Sequence, residues 1–227
     1  MQKIRAILFD LDNTLSDFML MKEEACKAAA HAMVAAGLNM TEKAAYDQLI
    51  KTYFDLGLES DIVFTEFLRN SGEFSHKVLA AAINAYLKTK SDFVRPYPYV
   101  KSTLRKLQNQ LVVLGIITDA PKTKAYQRLL KMGIEPYFKF VVGFEDTVSK
   151  KQTGLPFRLA LSELKKELPD IEESEILMVG DSIERDIQPA RQFGMKTALA
   201  KYGQRGKETM TADYELKRFE DLENIVK

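Results

Sequence analysis

The sequence contains one cysteine, no tryptophan and almost no excess of either charge. Cys26 alone cannot form an internal disulfide, and no paired cysteines indicate a zinc site. Lysine and arginine number 33 against 32 aspartate and glutamate residues, which leaves a net charge of +1. Because a nucleic-acid-binding surface needs a stripe of lysine and arginine, we predict no nucleic-acid partner.

Long apolar segments are also absent. The longest apolar stretch, Leu111 to Ile117, is far shorter than the roughly 20 residues that cross a membrane. The first residues, MQKIRAILFD, carry an apolar run too short for a signal peptide. We therefore expect a soluble, cytoplasmic protein with no membrane partner. The sequence does not distinguish a monomer from a homodimer.

Short apolar runs alternate with amphipathic helical patterns, which predicts an α/β fold with a doubly wound parallel sheet. The runs are Ile4–Phe9, Leu111–Ile117, Phe140–Val142, Ile176–Val179 and Thr197–Leu199. Residues 15–95 show helical patterns almost throughout, and this segment is too long for a single crossover connection. The sequence thus predicts a core domain, residues 1–14 and 96–227, and an inserted all-helical cap domain, residues 15–95.

Polar side chains follow four of the predicted strands, at the edge where parallel sheets bind ligands. In chain order they are Asp10 and Asp12, Thr118 and Asp119, Lys150 and Lys151, and Asp181 with Asp186. Taken singly, each residue is explained as a turn former, a helix cap or a solvated charge. Their joint order on successive strand ends indicates a single site.

This set of residues fits the transfer of a phosphoryl group through a carboxylate. Asp10 is the predicted nucleophile, and Asp12 would protonate the leaving oxygen and then take a proton from water. Thr118 and Lys151 would stabilise the phosphoryl oxygens. A divalent cation, Mg²⁺, bound by Asp10 and Asp181 would neutralise the crowded acids.

These motifs resemble those of the haloacid dehalogenase superfamily, in its phosphatase branch with a helical cap inserted after the first motif. DLDNTL is similar to the first motif, KKQTGLPF to the third and GDSIERD to the fourth, and Thr118 stands at the second. The resemblance covers nearly the whole chain. It implies a Mg²⁺-dependent phosphatase that acts on a small phosphorylated metabolite through an aspartyl-phosphate.

The predicted site consists of three overlapping sets. The catalytic residues are Asp10, Asp12, Thr118 and Lys151. The phosphate-binding residues are Thr118, Asp119 and Lys151. The metal ligands are Asp10, Asp12, Asp181 and Asp186, with Asp186 acting through water.

Two positions depart from the family pattern. Asp119 stands where the family commonly has asparagine, so we expect its side chain to point away from phosphate and only its backbone to contribute. No proline follows the lysine of the third motif, so the motif lysine is Lys150 or Lys151, and we favour Lys151.

Three other functions fit parts of the sequence. A sugar-phosphate mutase would form the same intermediate, and Asp12 does not separate it from a hydrolase. A phospho-accepting receiver domain shares the acids, threonine and lysine, but it is about half as long and has no large helical insertion. A non-catalytic binding module is suggested only by Asp119. The phosphatase is favoured because the other chemical positions are filled.

Overall fold

The computed structural model describes residues 3–206 and 210–226. The chain divides into two compact units, Met1–Asp17 with Arg95–Lys227, and Phe18–Val94. Within the described ranges, no helix combines the length and the apolar character that a membrane crossing requires. The cap role assigned to residues 15–95 stays a prediction.

The unit Phe18–Val94, all of which is described, is built from helices. They are α1 (Phe18–Ala35), α2 (Glu42–Leu56), α3 (Val63–Asn70) and α4 (His76–Phe93). Several alanines on the buried face of α1 let it pack closely along α4. Thr41 is the N-cap of α2, and its hydroxyl accepts a hydrogen bond from the Ala44 N–H at 3.2 Å.

A buried lysine lies in the core of this helical unit. Lys22 Nζ donates to the Leu58 carbonyl at 2.7 Å and to the Tyr86 hydroxyl at 2.6 Å. It also lies 4.0 Å from the centroid of the Tyr53 ring, within the range of a cation–π contact. These contacts replace the water that the ammonium loses on burial, so Lys22 stabilises the helical unit from within.

The other unit contains one parallel sheet in its described residues. Its strands are β1 (Ala6–Phe9), β2 (Val113–Ile117), β3 (Phe140–Val142), β4 (Ile176–Gly180), β5 (Lys196–Ala200) and β6 (Tyr214–Leu216). They lie in the order β3-β2-β1-β4-β5-β6, and every neighbouring pair is parallel. The strand order reverses beside β1, and the carboxyl ends of strands at such a point are where α/β sheets commonly bind ligands. The predicted α/β fold is confirmed.

Helices α5 to α9 connect these strands. They are α5 (Val100–Asn109), α6 (Lys122–Met132), α7 (Phe144–Thr147), α8 (Leu155–Glu167) and α9 (Gln188–Gln192). A 3₁₀ turn, Lys151–Thr153, precedes α8, and a π-helical turn, Ile183–Ile187, precedes α9. π-Helical turns are often found at functional sites.

The structure differs from the sequence-based elements at three places. The second strand begins at Val113, because Leu111 lies in a turn with φ 61° and is 88% exposed. The spacing of Ile183, Ile187 and Ala190 is typical of a single helix, but these residues form a π-helical turn followed by the short α9. Strand β6 was not predicted, because its three residues include the charged Glu215 and form no apolar run.

Candidate active site

Three buried carboxylates meet at the carboxyl ends of β1 and β4. Asp10 and Asp181 are the first residues after these two neighbouring strands. Asp186 lies on the π-helical turn after β4 and is completely buried. One oxygen from each carboxylate lies within 4.8 Å of the others, so the three acids could hold one metal ion.

Glycine before Asp181 makes this arrangement possible. A Cβ atom at Gly180 would lie 2.3 Å from Oδ2 of Asp186, closer than atoms can approach. The same Oδ2 accepts a hydrogen bond from the Ser182 N–H at 3.0 Å. The GDSIERD segment therefore folds back on itself, and the π-helical turn carries Asp186 beside the end of β4.

Lys151 lies between two of the acids. Its Nζ is 2.6 Å from Asp10 Oδ1 and 2.5 Å from Asp186 Oδ1, and its side chain is 1% exposed. Burial by itself lowers the pKa of Lys151, but the charges of Asp10 and Asp186 outweigh burial and raise it above its ordinary value. Lys150 is exposed, so the structure brings Lys151 and not Lys150 into the cluster.

The cluster has more negative than positive charge. Burial raises the pKa of Asp181 to about 8, and the charges of Asp10 and Asp186 act in the same direction. Burial also raises the pKa of Asp186 to about 6, against the opposing effect of Lys151. Arg185 contributes a second cation, with Nη2 3.4 Å from Asp181 Oδ1. The cluster thus has three carboxylates and two cationic side chains, and such an excess of carboxylates favours binding of a hard divalent cation, which prefers oxygen ligands.

Asp119 contacts the backbone of the same lysine. Its Oδ1 accepts a hydrogen bond from the Lys151 N–H at 2.8 Å. This contact ties the loop after β2 to the start of the 3₁₀ turn that carries Lys151. The Asp119 carboxylate therefore helps to hold the backbone of Lys151 in place. This contact was not predicted from the sequence.

Two buried threonines follow strands β1 and β2. Thr118 is buried; its N–H donates to the Val142 carbonyl at 2.9 Å, and its Oγ1 accepts from the Ala120 N–H at 3.2 Å. Thr14 is completely buried, and its Oγ1 donates to Asp10 Oδ2 at 3.4 Å. Thr14 was absent from the predicted site, although it lies in the same DLDNTL segment as Asp10.

The carboxylate of Asp12 does not belong to the group of three acids. Its Oδ1 lies 3.3 Å from Nη1 of Arg128, a residue of α6 whose side chain is 4% exposed. Sequence reasoning missed Arg128, because an arginine in an amphipathic helix is usually assigned to the solvated face. The structure thus brings together Asp10, Lys151, Asp181 and Asp186, and pairs Asp12 with a different cation.

Residues 7–200 match the family model of the haloacid dehalogenase-like hydrolases. The chain belongs to this family. Among its members, the glyceraldehyde 3-phosphate phosphatase of Methanocaldococcus jannaschii is 30% identical, and the alignment covers 99% of this chain and 97% of the relative. The phosphoglycolate phosphatase of Yersinia pestis is also 30% identical, over 88% of this chain and 82% of the relative. The predicted family and the predicted enzyme class, a phosphatase, are confirmed.

Solved structures of the family have the same fold. The HAD-hydrolase YfnB from Bacillus subtilis, bound to magnesium, superposes with a TM-score of 0.71 at 21% identity and covers 99% of both chains. A beta-phosphoglucomutase from Thermotoga maritima superposes with a TM-score of 0.74 at 16% identity and covers 98% of both chains. Because one of these structures is named a hydrolase and the other a mutase, the fold alone does not separate the two activities.

Proposed function

We propose that this phosphatase uses Mg²⁺ and hydrolyses a small phosphorylated metabolite with Asp10 as the nucleophile. The observation that carries the proposal is the buried contact of Lys151 Nζ with Asp10 and Asp186, beside Asp181. Burying this many charged groups costs free energy, and a purely structural role would not compensate for that cost. Binding a divalent cation and a phosphoryl group would explain why these charged side chains are placed together.

In the first step, an oxygen of Asp10 attacks phosphorus while the bond from phosphorus to the ester oxygen breaks. Asp12 gives its proton to that oxygen, so the product leaves as an alcohol and Asp10 carries the phosphoryl group. The Lys151 ammonium, 2.6 Å from Asp10, holds the nucleophile in place and offsets the negative charge of the phosphoryl oxygens.

In the second step, the Asp12 carboxylate takes a proton from water, and the water oxygen attacks phosphorus. The bond from phosphorus to Asp10 breaks, inorganic phosphate leaves, and both aspartates return to their starting forms. Thr118 and the backbone N–H groups after β2 are assigned to the phosphoryl oxygens.

Asp10, Asp181 and Asp186 fit Mg²⁺, because hard divalent cations take carboxylate oxygens. When bound, Mg²⁺ supplies positive charge that makes attack of a carboxylate on a phosphate dianion feasible. Asp12 is assigned to proton transfer, because its side chain pairs with Arg128 and lies outside the group of three acids.

The substrate is proposed to be a short phosphorylated metabolite. Relatives that align with most of this chain carry the names glyceraldehyde 3-phosphate phosphatase and phosphoglycolate phosphatase. These two compounds are therefore the first to test. A sugar-phosphate mutase with the same intermediate is the alternative, and it would require a bisphosphate in each cycle.

A panel of phosphorylated metabolites with phosphate release as the readout tests the proposal. We expect Mg²⁺-dependent release from at least one compound without added bisphosphate, loss of release in EDTA, and no release by Asp10→Asn. Lys150→Met is the matched control, since Lys150 is exposed and adjacent to Lys151. Isomerisation without net phosphate release would favour the mutase, and full activity of Asp10→Asn would exclude the nucleophile.

A further inference from the structure

Arg128 is an arginine buried in the sheet-containing unit. It lies on α6, where its side chain is 4% exposed, while Lys131 on the same helix is exposed. Removing a charged group from water costs several kcal/mol unless a partner of opposite charge compensates. One partner is Asp12, whose Oδ1 lies 3.3 Å from Arg128 Nη1 although the two residues are far apart in the sequence.

The position of Asp12 makes this contact significant. Asp12 follows Asp10 by two residues, and Lys151 already contacts Asp10 and Asp186. A carboxylate with freedom to rotate there would compete for that lysine or for a bound cation. Arg128, on α6, gives the Asp12 carboxylate a separate cationic partner, which attracts it toward that helix.

We propose that Arg128 is the positioning residue for Asp12, holding its carboxylate where it can exchange protons with the leaving oxygen and with water. The inference rests on the proposed function, in which Asp12 is the proton donor and acceptor. The contact of Arg128 with Asp12 Oδ1 is an ion pair without a hydrogen bond, and the proton transfers are assigned to the other oxygen, Oδ2. Arg128 itself touches neither phosphorus nor the leaving group.

The leaving group provides the first test. A proton donor matters most for an alkyl phosphate, whose alcohol leaves poorly, and least for p-nitrophenyl phosphate, whose phenolate leaves readily. Since a positioned acid contributes roughly 10²–10⁴-fold, we expect Arg128→Met to lower kcat/KM for the alkyl phosphate about ten- to a hundredfold. The loss for p-nitrophenyl phosphate should stay below about threefold, because that reaction needs little acid.

Two further variants separate positioning from general damage. Arg128→Lys keeps the charge but loses the planar fork, so its loss on the alkyl phosphate should fall between those of wild type and Arg128→Met. Lys131→Met removes one charge from the exposed side of the same helix and should leave both substrates unaffected. If Arg128→Met does not fold, Arg128→Lys is used instead. It should also lower kcat/KM more for the alkyl phosphate than for p-nitrophenyl phosphate, by a smaller factor.

A double-mutant cycle gives the second test. If Arg128 acts only through Asp12, adding Arg128→Met to Asp12→Asn should change kcat/KM by less than about twofold. The positioning role would be overturned, while the proposed function stands, by either of two results. One is that Arg128→Met lowers kcat/KM by the same factor in the wild type and in Asp12→Asn; the other is that it lowers kcat/KM by the same factor for the alkyl phosphate and for p-nitrophenyl phosphate. Full alkyl-phosphate activity of Asp12→Asn would instead overturn the choice of acid, and with it the role of Arg128.

Discussion

Replacement of Lys151 by methionine is expected to destabilise the metal-free protein in a pH-dependent manner. The substitution removes an ammonium that contacts Asp10 at 2.6 Å and Asp186 at 2.5 Å, and leaves both carboxylates buried. Removing one partner of a buried ion pair costs about 3–5 kcal/mol. Coulomb's law at an effective dielectric constant of about 20 gives a similar value, about 4 kcal/mol for one pair of charges at 4 Å.

This cost should depend on whether the acids are ionised. Burial raises the pKa of Asp181 to about 8 and that of Asp186 to about 6. At pH 9 and above, Asp181 and Asp186 are both ionised, and we expect the full loss in the free energy of unfolding. At pH 5 both acids hold protons, so the loss should be markedly smaller.

Urea denaturation in EDTA at pH 9 and at pH 5 measures this difference. Lys150→Met is the control, because Lys150 is exposed and its loss should change the free energy of unfolding by less than about 0.5 kcal/mol at either pH. An equal loss for Lys151→Met at both pH values would refute the electrostatic reasoning. A large loss for Lys150→Met would show that the wrong lysine had been assigned.

Three other predictions concern the metal, pH and backbone strain. Asp181→Asn should raise the Mg²⁺ concentration at which the melting temperature stops rising, because it removes one charged ligand; an unchanged midpoint would contradict this. Because the pKa of Asp181 is raised from 3.8 to about 8, the folded protein keeps a proton that the unfolded chain releases. The free energy of unfolding of the metal-free protein should therefore fall between about pH 4 and pH 8, with a smaller slope in Asp181→Asn, as urea titrations at several pH values would reveal. Val148 has φ 49°, a left-handed conformation that β-branched residues avoid, so Val148→Gly should raise the free energy of unfolding by about 1 kcal/mol, and a decrease would argue against strain there.

The fold could be predicted because its signals are local. The runs that became β1 to β4 contain no polar side chain, which is typical of strands buried on both faces. Since parallel strands end at a common edge, the polar residues after them could be assigned to one region without any knowledge of side-chain geometry. Strand β6 had no such signal, because it is short and one of its residues, Glu215, is exposed.

The contacts that organise the candidate site could not be predicted in the same way. The pairing of Arg128 with Asp12 joins residues more than a hundred positions apart, and periodicity does not show which side chains meet across such a distance. The hydrogen bond from the Lys151 N–H to Asp119 depends on the path of a loop. Sequence pattern thus selected the strand ends, whereas tertiary packing decided which cation each acid contacts.

The loop after β5 also approaches the first motif. A Cβ atom at Gly203 would lie 1.6 Å from the carbonyl oxygen of Asn13, and the Tyr202 hydroxyl donates to the Thr14 carbonyl at 2.8 Å. Any side chain at position 203 would push the DLDNTL turn, and Asp10 and Asp12 with it, out of place. A randomised library at this codon, selected for phosphate release, should consequently return glycine almost alone, which makes this loop a poor site for engineering.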